Sequence, residues 1–129
     1  MNLNIQLIQY SDFIRTTPTG ELDLESTRGL MTALAESVDQ NSTYPMLIDV
    51  RQTSSLLQKL DIFELASSLM QYGSTFRRRT AILTRDDDSY DRAAFFELVA
   101  HNRGYYVNAF SNFEEAIMWL AQEEASQIA

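Results

Sequence analysis

The side chains in this chain best equipped for chemistry are carboxylates and guanidiniums gathered where short apolar runs end. Asp49 closes the run 45–50 and Arg51 follows it. Arg85, Asp86, Asp87 and Asp88 follow the run 80–84, and Ser111 and Asn112 follow the run 105–110. If the runs are strands of an open α/β sheet, these groups share the rim at the strand C-termini. Ligands of such sheets bind there, beside helix N-termini. Arg51 and Arg85, with backbone N–H groups, would then orient an anionic head group. The plainer reading is that the same residues cap helices and line a solvated loop, with Asp87 or Asp88 starting a helix. That reading ranks first.

Two further chemistries fail on the residues present. Hard cations take several oxygen ligands, and Asp49 with the 86–88 triplet would offer them. A phosphoacceptor receiver arrangement, however, needs an acidic pair after the first strand and a lysine after the last, whereas Lys59 is the one lysine and Ser111 follows the last run. No metal and no cofactor is expected. His101, the one histidine, falls in the last turn of a predicted helix, where it complements the helix dipole. As a general base it would need a nucleophile and an orienting group, and the sequence nominates neither. No G-x-S-x-G, glycine-rich phosphate loop or H-E-x-x-H occurs, so no catalytic residues are assigned and an enzyme is not expected, with Asp49 and His101 as the distant alternative.

The remaining candidates are apolar or basic. Leu56, Leu57 and Leu60 fall in a segment expected to face water, followed by Phe63. Tucked under the domain, they are core. Gathered on the surface, they suit a lid over an apolar ligand or a subunit interface, which leaves a homodimer open. Arg77, Arg78 and Arg79 precede a strand and read first as a solvated, edge-protecting charge run, second as a site for phosphate or an acidic partner. Tyr105, Tyr106 and Trp119 read as packing residues with polar tips.

These residues must be positioned by a small domain. The length of 129 residues suits one domain, 1–129, with fraying after about 123. With no cysteine, thiolate chemistry and disulfides are excluded. A net charge of −8 argues against nucleic-acid partners and against broad docking on anionic membranes. No apolar stretch reaches the roughly 20 residues of a membrane span. The N-terminal segment lacks a basic start and a small-residue cleavage site, so the expectation is a cytoplasmic protein.

Alternating residues 4–9 and the run 13–17, separated by Ser11 and Asp12, predict a hairpin, and Pro18-Thr19-Gly20 ends it. Helices are predicted over 24–39, capped by Asp23, and from Asp61 to Gly73, with Leu65, Ala66, Leu69 and Met70 inward. A third spans 90–103, with Ala94, Phe95, Leu98 and Val99 inward and Gly104 at its C′ position. A fourth opens at Phe113, with Ala116, Ile117 and Leu120 inward. Residues 51–59 are read as a loop. The order is ββαβαβαβα. It predicts an α/β fold with a five-stranded, mostly parallel sheet, an antiparallel first strand and about four helices.

Five stretches in this order, PTGELDLES, MLIDVR, RRRTAILTRDD, DRAAFFELVAHNRG and FSNFEEAIMWL, resemble the SpoIIAA-like proteins of the STAS superfamily, fold relatives of the CRAL-TRIO lipid-transfer domains. The resemblance spans residues 7–120. It implies a compact, usually non-enzymatic domain that binds a protein partner or a small apolar or anionic ligand. Antagonists of anti-sigma factors in that superfamily carry a phosphorylatable serine at the start of the helix after the central strand. Here that place holds Gln58, Lys59 and Leu60, so no phosphosite is carried over. The resulting expectation is a regulatory or protein-interaction module, with a carrier or sensor of a lipid-like ligand as the alternative.

Overall fold

The structure is a computed structural model that describes residues 5–8 and 13–122. Strands β1 (Ile5–Ile8) and β2 (Phe13–Thr16) pair antiparallel, and the predicted Ser11-Asp12 turn lies outside the described residues, as does the tail after 122. From β2 the sheet continues in parallel through β4 (Met46–Asp49), β6 (Thr80–Leu83) and β7 (Val107–Phe110), in the order β1-β2-β4-β6-β7. The predicted five-stranded sheet with one antiparallel edge strand is the one observed.

A second, two-stranded sheet stands where a turn and a loop were expected. β3 (Gly20–Leu22) pairs in parallel with β5 (Thr53–Ser55), and Leu56 N–H extends the ladder to Leu22 O at 2.8 Å. Each strand is only three residues long, too short for alternation to show. Gly20 sits at φ 100°, a conformation open to glycine, where the chain turns from β2 into this ribbon.

Four helices cover the main sheet. α1 (Leu24–Ser37) starts on Asp23, whose carboxylate accepts from Ser26 N–H at 2.8 Å while Ser26 Oγ accepts from Asp23 N–H. α2 (Lys59–Ser67) begins two residues before the predicted start. Asp61 is not its cap but sits in its first turn, where the carboxylate reaches back to Gln58 N–H at 2.9 Å. The helix tightens into a 3₁₀ turn (Leu69–Tyr72), which rotates Met70 out to 74 % exposure instead of inward. α3 (Asp88–His101) starts two residues before the predicted start, capped by Asp87, and its buried stripe is Ala93, Val99 and Ala100, with Leu98 exposed. Gly104 has φ 84° as expected, one residue farther beyond the helix end. α4 (Phe113–Leu120) is capped by Asn112, which accepts from Glu115 N–H.

Strand alternation sends these helices to two faces. Ile14, Met46, Ile48 and Val107 pack under α1, α2 and α3. Phe13, Leu47, Ala81 and Leu83 pack under α4 alone, through Ala116 and Leu120. Side chains such as Leu47 and Leu83, fully buried here, each stabilise the fold by about 1.5–3 kcal/mol.

The arginine triplet is not a solvated run. Arg78 is buried and donates to the carbonyls of Thr75, Tyr44 and Asp39, knitting three loops at the N-terminal end of the strands. Arg79 donates to Trp119 O at the end of α4 and stacks on the Trp119 ring. Arg77 alone is exposed, over Tyr105. The C-terminus of α4 leaves carbonyls without partners inside the helix, and Arg79 supplies a donor to one of them. Tyr105 is buried as expected, whereas Tyr106 is 58 % exposed.

Candidate functional site

The strand C-termini do gather Asp49, Arg51, Arg85 and Asp87, but they close on one another. Asp49 points to the α4 face and is 1 % exposed. Arg51 grips it in a fork, Nε to Oδ1 at 2.9 Å and Nη2 to Oδ2 at 2.8 Å, and Arg51 N–H adds a third bond at 3.1 Å. Arg15 from β2 stands 3.4 Å from Oδ2. Both guanidiniums lie over the Phe113 ring, 5.7 and 5.8 Å from its centroid. Burial pushes the Asp49 pKa up, but the bonds from Arg51 and the charges of Arg51 and Arg15 outweigh it, and the carboxyl ends below its ordinary 3.8. A carboxylate so fully bonded is a structural clasp with no lone pair left to take a substrate proton.

Arg85 is likewise committed. It donates to Arg51 O at 2.6 Å and Thr53 O at 2.7 Å, and to Asp87 and Ser89 side chains at 3.0 and 3.1 Å. It therefore staples the start of α3 to the turn between β4 and β5. Asp87 caps α3 through Ser89 N–H; that bond, a side-chain bond with Ser89 and the Arg85 bond bring its pKa to about 2. Asp86 and Ser111 are exposed and form no side-chain hydrogen bond among the described residues. His101 is exposed and bonds Asn108 Oδ1 at 3.1 Å, apart from any nucleophile.

An opening lies on the other face of the sheet. Between the C-terminal halves of β4 and β6, the β3–β5 ribbon and the three helices is a cavity of about 120 Å³. Ile48, Val50 and Ile82 form its floor, Leu30 and Leu65 its helical walls, and Phe96 closes the α3 side. Seven polar side chains also border it: Thr27, Thr53, Ser55, Thr80, Thr84, Ser89 and Arg92. Five are bonded within the protein: Thr53 to Val50 O, Ser55 to Leu57 N–H, Thr80 to Arg78 O, Thr84 to Arg85 O and Ser89 to Arg85. The Thr27 hydroxyl is buried with no partner, and Arg92 has no ion pair or hydrogen bond among the described residues.

The leucine segment divides across this site. Leu57 borders the cavity, with Ile62 behind it, while Leu56 and Leu60 are 59 % and 71 % exposed and Phe63 is 42 % exposed beneath Arg103. Sequence reasoning named the segment and missed Thr27 and Arg92. The signal for Arg92 was its helical step to Phe96, four residues on, which shares its side of α3. Both residues fall inside the predicted helix, but its inward side was assigned to Ala94, Phe95, Leu98 and Val99, which left Arg92 and Phe96 aside.

No family model matches the chain, and no curated protein matches it in sequence. Among solved structures, it is similar to an uncharacterized protein of the DUF3478 family with a SpoIIAA-like fold from Shewanella loihica PV-4. The two share 18 % identity with a TM-score of 0.56 over 92 % of each chain. At that identity the likeness speaks for the fold alone, and the fold is SpoIIAA-like.

Proposed function

We propose that this protein is a non-catalytic regulatory module of the cytoplasm, in which a small apolar ligand occupies the cavity and a protein partner reads the outcome. The cavity carries this reading. A dry site of about 150 Å³ lined by aliphatic and aromatic side chains is large enough for benzene, so this one suits a body of about six heavy atoms. Native interiors hold few voids larger than a water molecule, and an apolar one of this size beside the ligand-binding rim of an α/β sheet is a site by default.

The same short segment supports the readout. Residues 53–63 wall the cavity through Leu57 and Ile62 and present Leu56, Leu60 and Phe63 outward. Filling the cavity would shift the inner side chains and, with them, the outer apolar face. That face then meets another protein or a second copy of this chain. The closed bonding of Asp49 and the isolation of His101 support a role without turnover.

Native mass spectrometry of the protein purified gently from its own cells tests this. A mass excess of a small organic molecule that vanishes on denaturation is the expected result. Bare protein that also fails to bind any small apolar probe in solution would overturn it.

A further inference from the structure

Arg92 is a cation with no counter-charge among the described residues. Asp88, four residues earlier on the same helix, is a ready partner at i, i−4 spacing. No ion pair forms between them, although the chain holds 18 acidic residues against 10 basic ones. Arg92 is half-buried and borders the cavity beside Ala93 and Phe96. A guanidinium partly withdrawn from water gains most from a carboxylate that meets its fork with two parallel bonds.

We infer that the cavity's ligand is a small monocarboxylic acid, its apolar body on the Ile48, Val50 and Ile82 floor and its carboxylate on Arg92. This rests on the reading of the cavity as a ligand site and adds the charge. A single negative charge fits better than a phosphate dianion for two reasons. Among the described residues that line the cavity Arg92 is the one cation, and Arg85, at the start of the same helix, is held by internal partners. Asp86, Asp87 and Asp88 also stand at the start of the same helix, and their charge opposes a second negative charge on the ligand. Thr27, with its buried hydroxyl, offers one more hydrogen bond inside the cavity, which suits a ring or chain bearing a single polar substituent.

The probes are benzene, benzamide and benzoate, with 3-methylbutanoate and its amide as a second shape, titrated by calorimetry and ¹H–¹⁵N NMR near pH 7. Benzoate or 3-methylbutanoate is expected to bind at least tenfold more tightly than its amide. Arg92→Gln should bring acid and amide to the same affinity, and Arg92→Lys should keep part of the preference. Acid and amide binding equally to the native protein would overturn the charge inference and leave the cavity reading standing. Failure of every probe, benzene included, would overturn both. Shifts confined to Arg77 and its neighbours would place the anion at the opposite end of the strands and overturn the assignment to Arg92.

Discussion

The two faces of the central sheet handle polar groups in opposite ways. On the α4 face a buried carboxylate sits among apolar side chains, and every lone pair it offers is met by Arg51 or Arg15 under the Phe113 ring. On the three-helix face the lining is mainly apolar, yet among the described residues a hydroxyl and a guanidinium are left without partners around an open volume. Residue type draws attention to the first face. Bonding state points to the second, because a group with all its partners in place has little to gain from a ligand.

The largest effect should follow from breaking the clasp. Asp49→Ala removes the shared acceptor of two arginines, whose side chains are 30 % and 40 % exposed and so keep some contact with water. The loss should therefore fall below that of a fully buried pair, at about 2–3 kcal/mol, read from the urea midpoint. Probe binding to the cavity should survive wherever the variant remains folded. A folded Asp49→Ala protein that no longer binds would erase the contrast between the faces.

The clasp also has a pH signature. The Asp49 pKa is lower in the folded state than its ordinary 3.8, so its stabilisation is complete above that value and is lost as pH falls through the folded-state pKa. Asp87, at about 2, acts in the same direction and window. Acid unfolding of the native protein should steepen below pH 3.8. Asp49→Asn should start less stable at pH 7 and show a shallower acid limb, with both curves followed by far-UV circular dichroism.

Next in size come changes on the cavity side. Leu57→Ser places a hydroxyl against the core cluster and should cost about 1–2 kcal/mol together with probe binding. Ala93→Leu extends a side chain into the cavity, so stability should move by less than about 1 kcal/mol while benzene affinity drops at least tenfold. If Ala93→Leu destabilises strongly instead, the space is smaller than it measures and the contrast with the packed α4 face weakens.

Much of this was legible in the sequence. The strands of the main sheet, the first helix with its Asp23 cap and the fourth helix follow from runs and caps that act locally. The rest depended on contacts distant in sequence. The β3–β5 ribbon joins Gly20 to Thr53, and neither short strand alternates long enough to be seen. α3 carries apolar residues on several sides, so spacing alone did not single out Ala93, Val99 and Ala100 as its buried stripe, which only the packing against the sheet selects. The Arg51 and Arg85 pair was found by type, but the carbonyls and carboxylates that occupy it come together only in the fold. Arg92 escaped for the converse reason, since what marks it is the lack of a partner.

The smallest change belongs to the outer side of the leucine segment and gives the sharpest control. Leu60 is 71 % exposed, so Leu60→Ser removes little buried area and should shift stability by less than about 0.5 kcal/mol. Its neighbour in the segment, Leu57, carries the same side chain turned inward, so the pair separates the two sides within one short stretch of chain. Leu60→Ser should leave benzene and benzoate affinities unchanged, because it does not border the cavity. If the outer face is read by a partner or a second copy, the substitution should weaken that association, seen as a lower mass by light scattering or a loss of co-purified protein. Loss of cavity binding in Leu60→Ser would mean that inner and outer sides of the segment move as one, and that the ligand orders the face it does not touch.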